Sequence, residues 1–164
     1  MSEYFKNINE IIYEGPDSDN PLSFKWYDEN RQVLGKTMKD HLRFATCYWH
    51  TFTWPGLDPF GGATFERPWM SSGDPLKMAE MKLDEAFDFF NKIKTPFFCF
   101  HDRDISPEGL NYKETQKNFL HIINLMESKM ETSNIKLLWG TANAFSHKRY
   151  MSGASTNPDP EVFA

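Results

Sequence analysis

Cysteine is nearly missing from this chain of 164 residues: there are two, Cys47 and Cys99, each inside an apolar run. Thiols so placed are expected to be buried, in a reduced, cytoplasmic protein rather than a disulfide scaffold. Long hydrophobic runs are missing too. No window approaches the roughly 18 apolar residues of a membrane span, and the opening "MSEYFKNINE" is mixed and polar, so neither a membrane helix nor a signal peptide is expected. Positive charge is short: 18 Lys and Arg stand against 23 Asp and Glu, a net charge of −5. With no basic stripe interleaved with aromatics, this balance argues against nucleic acid and anionic membrane as main partners. The sequence contains no G-x-G-x-x-G, no P-loop and no G-x-S-x-G. Phosphate cradling is therefore unsupported and nucleophilic catalysis disfavoured.

Aromatic residues, by contrast, are plentiful: 16% of the chain, with 15 Phe and 5 Trp. Much of this must be core, in a chain the size of one ordinary domain. Yet Trp49, Trp54, Phe60, Trp69 and Trp139 lie in or beside turn-like sequence rather than on helical stripes. Tryptophans at such junctions either pack a core or wall a ligand pocket.

Punctuation along the chain predicts an irregular N-terminal arm over 1–36, with "EGPDSDNP" as a turn cluster. "RFATCYWHTF" from residue 43 reads as a first buried strand, followed by a stiff loop, "TWPGLDPFGG", with two prolines and three glycines. Asp74-Pro75 predicts the start of an amphipathic helix. Leu76, Ala79, Leu83, Ala86, Phe87, Phe90 and Ile93 form its apolar stripe, and Lys77, Glu80, Lys82, Asp84, Glu85 and Asp88 its polar face. "PFFCFH" reads as a second strand. Asn111 and Glu114 predict the start of a second helix to about 132, with Phe119, Ile122, Ile123, Met126 and Met130 on one side. A third strand covers 134–141, and Asp159-Pro160-Glu161 opens a last helix.

Strand and helix alternating on a period of about 40 residues imply βαβ units with parallel strands. In such folds functional groups gather where strands end and helices begin. His101, Asp104, Trp49 and Trp139 all fall on that edge. Three strands cannot close a (β/α)8 barrel, and the sequence stops at a helix start, so the chain is expected to be a fragment or one piece of a split protein.

"PFFCFHDRDISP" carries the chemistry. Imidazole is the side chain suited to proton transfer near neutral pH, and Asp104, three residues after His101, can fold back onto one ring nitrogen and raise the basicity of the other. An incidental polar turn is the competing reading, and residue types alone leave both open. His101, Asp102 and Asp104 are possible metal ligands, with Asp58 and Glu66 as outliers, but no full set converges, so no metal site is expected in this chain alone. His50 and His147 read as local hydrogen-bonding residues, His41 and His121 as helix residues without a role. Pro59-Phe60 tips its loop with an exposed aromatic that either folds back or is offered to another subunit.

"CYWHTFTWPGLDPFG", "FCFHDRDISPEG" and "LLWGTANAFSHKRYMSGASTNPDPEVFA", together with "NPLSFKWY" and "GKTMKDHLRFA", closely resemble the xylose isomerase family, in the form with a longer N-terminal arm. The resemblance covers essentially the whole chain but less than half of the family's length. It implies a (β/α)8 TIM barrel, with 1–36 as the N-terminal arm and 37–164 as the first three to four βα units. It further implies a homotetramer and two divalent cations, Mg2+, Mn2+ or Co2+. The implied reaction is aldose–ketose isomerisation, xylose to xylulose and glucose to fructose, by ring opening and a metal-assisted hydride shift.

By the same resemblance His101 and Asp104 are the catalytic pair that opens the sugar ring. Trp49, Trp139, Thr141 and Phe145 line the sugar site, and Phe60 reaches into a neighbouring subunit's pocket. The family's metal ligands and catalytic lysine match nothing before residue 164. The chain alone is therefore expected to be inactive, and to need a complementing C-terminal piece. A related metal-dependent sugar isomerase or phosphodiester-cleaving barrel, which should lack "WPGLDPFG", and a non-catalytic sugar-binding or assembly piece are the competing readings.

Overall fold

The computed structural model describes residues 4–163; residues 1–3 of the expected arm and residue 164 lie outside it. Its centre is a parallel sheet of three strands in chain order, β3 (Ala45–Cys47), β4 (Phe97–His101) and β5 (Lys136–Thr141), joined by helices α2 (Pro75–Lys92) and α4 (Tyr112–Ser133). A short hairpin, β1 (Gln32–Val33) with β2 (Lys36–Thr37), and helix α1 (Met38–His41) precede the sheet. The last residues of the expected arm are thus regular rather than irregular. Leu34 and Gly35, both at positive φ, make the tight turn that matches strand twist.

Local chemistry starts each helix where the sequence places it. Asp74 Oδ1 accepts the Leu76 and Lys77 amides at 2.9 and 3.3 Å, and Pro75 follows at the first helical position. Asn111 Oδ1 accepts the Glu114 amide at 3.0 Å. Asn134, in the left-handed conformation that Asn tolerates, closes α4. Helix α5 (Pro160–Phe163) begins as expected, with Asp159 Oδ1 accepting the Glu161 amide at 3.0 Å.

The first strand is shorter than the sequence suggests. It stops at Cys47, and Trp49–Thr53 wind into a single π-helical turn closed by the Trp54 amide on the Trp49 carbonyl, 2.7 Å. The cause is packing. Tyr48 and Phe52 are both buried with ring centroids 5.2 Å apart, a separation that four residues reach on a helix but not along a strand. Such turns concentrate at functional sites.

The core is aromatic. Phe98 and Phe100 of β4 face the helices; Phe98 stacks on Phe90 at 5.3 Å and meets Phe87 edge-on at 5.5 Å. Phe52, Phe89 and Trp69 continue the cluster, and the Trp69 indole N–H donates to the Phe52 carbonyl at 3.0 Å. From α4, Ile122 and Met126 seal it, with Phe119, Ile123 and Met130 packed partly against it. The N-terminal segment is fastened to the far end of α2. Ile11 donates its amide to the Lys92 carbonyl at 2.7 Å, and Lys94 lies 3.7 Å from Glu10 and 3.6 Å from Glu29.

Two histidines expected to be idle have partners: His41 Nε2 meets the Val33 carbonyl at 2.8 Å, and His121 Nε2 meets Glu80 Oε1 at 2.6 Å. No described helix is long and apolar enough to cross a membrane. Strand β5 is solvent-exposed along its whole length, and no further strand pairs with its outer edge among the described residues.

Replacing Phe90 by Ala should cost about 3–5 kcal/mol, because the ring is fully buried between Phe52, Phe87 and Phe98. Phe60→Ala should cost under about 0.5 kcal/mol, since that ring is 98% exposed. Urea unfolding of the two variants beside the wild type checks both values; equal losses would contradict this placement of the core.

Candidate active site

Burial of Phe98 and Phe100 holds β4 firmly enough for its last residue to serve as a fixed post. The chain turns there: His101 still has extended backbone, and α3 (Asp102–Ile105) starts at the next residue. Asp104 folds back across this turn. Its Oδ2 accepts the His101 backbone N–H at 2.8 Å and lies 3.1 Å from His101 Nδ1. Asp104 is 1% exposed. An ionised carboxylate only accepts hydrogen bonds, so Nδ1 carries the proton of the neutral ring, and the Nε2 lone pair is the free one.

Two aromatic rings stand on edge against His101. Trp139 of β5 lies 5.7 Å away at 74°, and Phe145 lies 5.4 Å away at 88°. Thr141, the last residue of β5, is the strand partner of His101. The turn beyond is shaped by Asn143, whose Oδ1 accepts the Phe145 and Ser146 amides at 3.2 and 2.9 Å. Asp102 Oδ1 in turn accepts the Asn143 amide at 2.8 Å, tying the start of α3 to the loop that carries Phe145.

Five of the seven residues singled out from the sequence therefore share one patch: His101, Asp104, Trp139, Thr141 and Phe145. Trp49 stands at the same sheet edge, half-buried in the π turn. Phe60 is separate. Its loop is braced by Asp58 Oδ1 accepting the Phe60 amide at 2.7 Å and by the Trp54 indole donating to the Leu57 carbonyl at 3.1 Å. Gly56 sits at φ +78°, where a Cβ would come within 2.5 Å of Thr64 Oγ1. The aromatic tip is thus held out, not folded back.

Beneath Asp104 the sequence reading needs correcting. Lys82 and Glu85, assigned to the polar face of α2, are both buried. Lys82 Nζ donates to Thr53 Oγ1 at 3.3 Å, and that hydroxyl donates to the Asp104 carbonyl, also at 3.3 Å. The ammonium also lies 5.9 Å from the centre of the Tyr48 ring. Burial pushes the Lys82 pKa down to about 8 against a partly compensating attraction from Asp104. Burial and the Asp104 charge push the Tyr48 phenol up, and its hydroxyl has no hydrogen-bond partner. The Cys99 thiol is pushed up to about 11, first by burial and then by the neighbouring Cys47.

Lys82, Thr53, Tyr48 and Asn143 were passed over in the sequence. Lys82 had left a signal: it lies three residues after Ala79 and four before Ala86, inside the apolar stripe. Among the described residues no three His, Cys, Asp or Glu side chains converge to hold a cation. Asp104 is hydrogen-bonded to His101, Asp102 to the Asn143 amide and Asp58 to the Phe60 amide.

The folded-state pKa of Lys82 lies below its ordinary 10.5, so between about pH 8 and 10.5 the unfolded chain binds the extra proton and the fold gains stability as pH rises. Relative to Lys82→Met, the wild-type chain should gain on the order of 2 kcal/mol from about pH 8 to about pH 10. Urea unfolding of both chains at the two pH values measures the difference; parallel pH dependence would show that Lys82 does not titrate in that window.

No family model matches the chain. Curated proteins do, along its whole length. It is 60% identical over all 164 residues to a xylose isomerase of Photobacterium profundum, of which it spans 37%. It is 59% identical over 161 residues to one of Paraburkholderia phytofirmans, again 37% of that protein, and 54% identical over 164 residues to one of Salmonella paratyphi A, 39% of it. At 54–60% identity along essentially its whole length the chain is similar to these xylose isomerases, and it spans a little over a third of their length.

Proposed function

We propose that these residues form the ring-opening half of a xylose isomerase site, in a protein that converts D-xylose to D-xylulose and glucose to fructose. The observation that carries this reading is the His101–Asp104 pair at the end of β4, set between Trp139 and Phe145. Asp104 holds the proton on Nδ1. Nε2 accepts the proton of the anomeric hydroxyl and returns it to the ring oxygen as the bond from C1 to that oxygen breaks, leaving an open-chain aldehyde and a neutral imidazole. Trp49, Trp139, Thr141 and Phe145 line the sugar, and Phe60 enters the pocket of a neighbouring subunit in a homotetramer.

Two divalent cations, Mg2+, Mn2+ or Co2+, would polarise the carbonyl and hydroxyl oxygens for the hydride shift. Their ligands are proposed to lie beyond this chain, in a complementing C-terminal part. The open edges of the sheet and the exposed length of β5 support reading 37–164 as the first three to four βα units of a (β/α)8 TIM barrel, preceded by an N-terminal arm over 1–36. A cytoplasmic location follows from the same reading. The exposed Phe60 favours one alternative, a non-catalytic assembly or sugar-binding piece.

The 164-residue chain by itself, given xylose and Mg2+, should form no xylulose; turnover would refute the incomplete site. A chimaera in which these residues replace their counterparts in the Photobacterium profundum relative should isomerise xylose. In that chimaera His101→Asn should slow xylose turnover about 10²–10⁴-fold. Glyceraldehyde, too short to form a stable ring, should be far less affected. Equal losses on the two substrates would remove ring opening as the role of His101, and a normal rate on both would favour the assembly piece.

A further inference from the structure

Phe145 stands against His101 without the support that Trp139 has. Trp139 is a strand residue, held by its pairing with Cys99, whereas Phe145 lies in the loop that leaves β5. Its ring is 65% exposed and meets the His101 ring at 5.4 Å. An aromatic on an exposed loop keeps one place only where its backbone is fixed.

That backbone is fixed from two sides. Asn143 is buried, and its side chain is fully used within the turn. Oδ1 accepts the Phe145 and Ser146 amides at 3.2 and 2.9 Å, and Nδ2 donates to Ser146 Oγ at 2.7 Å. An asparagine bonded to the amides just ahead of it sets the shape of a turn. It does not set where the turn lies. Asp102 does so: its Oδ1 accepts the Arg103 amide at 2.7 Å and the Asn143 amide at 2.8 Å. The second of these bonds runs beside the ladder pair of His101 and Thr141 and joins the exits of β4 and β5. Phe145 is thereby held relative to His101, not merely relative to its own loop. The other link between these loops, Arg149 on Glu108, joins exposed side chains and contributes little.

We propose that Asp102 and Asn143 are positioning residues for the sugar: together they hold the Phe145 ring as a fixed wall beside His101, and they act on the substrate through that ring. The inference rests on the proposed reading of Phe145 as a residue that lines the sugar. The two aspartates that follow His101 then have separate tasks. Asp104 folds back on His101 itself, and Asp102 reaches across to the loop that carries the facing ring. A wall contact is equally present before and during ring opening, so its loss weakens binding without slowing the steps that follow. A damaged fold acts differently: it lowers the amount of working enzyme, and with it kcat, while KM stays where it was.

Steady-state kinetics on xylose in the Photobacterium profundum chimaera provide the test, with Asn143→Ala, Asp102→Ala and Asp102→Asn, each alone and combined with Phe145→Ala. Asn143→Ala and Asp102→Ala should each raise KM about three- to tenfold, the size of a lost aromatic contact, and hold kcat within about twofold. Asp102→Asn keeps an oxygen for the Asn143 amide and should stay within about twofold of the parent KM. With Phe145→Ala present there is no ring left to place, and the same substitutions should then change KM by less than about twofold.

A full KM increase on top of Phe145→Ala would overturn the inference, and so would a fall in kcat at unchanged KM. Asp102→Asn as impaired as Asp102→Ala would do the same, because charge and not the hydrogen bond would then matter. Failure of the underlying reading has its own mark: Phe145→Ala alone would keep the parent KM, which removes Phe145 from the sugar site and the inference with it.

Discussion

A carboxylate removed from water at the end of a strand governs the arrangement around it. Asp104 is almost fully buried, and a buried ionised carboxylate is tolerable only where donors and a nearby cation compensate its lost hydration. Its donors are the His101 amide and ring, which require β4 to stop at residue 101 and α3 to turn immediately. The nearby cation is Lys82, which requires α2 to bury a lysine and the π turn to deliver Thr53 between the two. Regularity is thus given up at two strand ends for one side chain. The cost is visible in the Tyr48 hydroxyl, buried without a hydrogen-bond partner in the same layer.

What makes such a costly layer affordable is the aromatic packing below it. Phe52, Phe87, Phe89, Phe90, Phe98 and Trp69 interlock through edge and stacked contacts between 5.3 and 5.9 Å. Each large ring contributes a few kcal/mol on burial, with a further fraction from favourable ring geometry. Because Phe98 and Phe100 are fixed by those contacts, His101 is placed by the strand rather than by its loop. The Asp102–Asn143 hydrogen bond then carries the same precision across to Phe145.

The sequence made the helices legible because their signals are local. Asp74-Pro75, Asn111 and Asp159-Pro160 are caps whose hydrogen bonds form within one turn. The His101–Asp104 pair was legible for a similar reason, three residues being one turn. Features that depend on distant segments were not. The π turn at Trp49–Thr53 exists because Phe52 must meet Phe89, Phe90 and Trp69, and nothing within "YWHTF" announces partners 17 to 38 residues away. Lys82 was misplaced because its charge outweighed its position. Between Ala79 and Ala86 it occupies the inward stripe, where small neighbours leave room for a long side chain. Phe60 shows what an internal reading leaves open: its sequence allowed either direction, and the brace of Gly56 and Asp58 settles only that it points outward.

The patch is dry on one side and wet on the other, and that division matches the step assigned to it. Asp104 is sealed, whereas the His101 side chain is 23% exposed and its two flanking rings are open, Trp139 at 42% and Phe145 at 65%. Opening a sugar ring moves protons between oxygens and a base, a process that tolerates water nearby provided the base is oriented and neutral. A hydride shift between adjacent carbons needs polarised oxygens and a site from which water is shut out. The oriented and accessible His101 suits the first of these two steps on the proposed reading. On the proposed reading, cover for Trp139 and Phe145 would be set against the face that β5 leaves open.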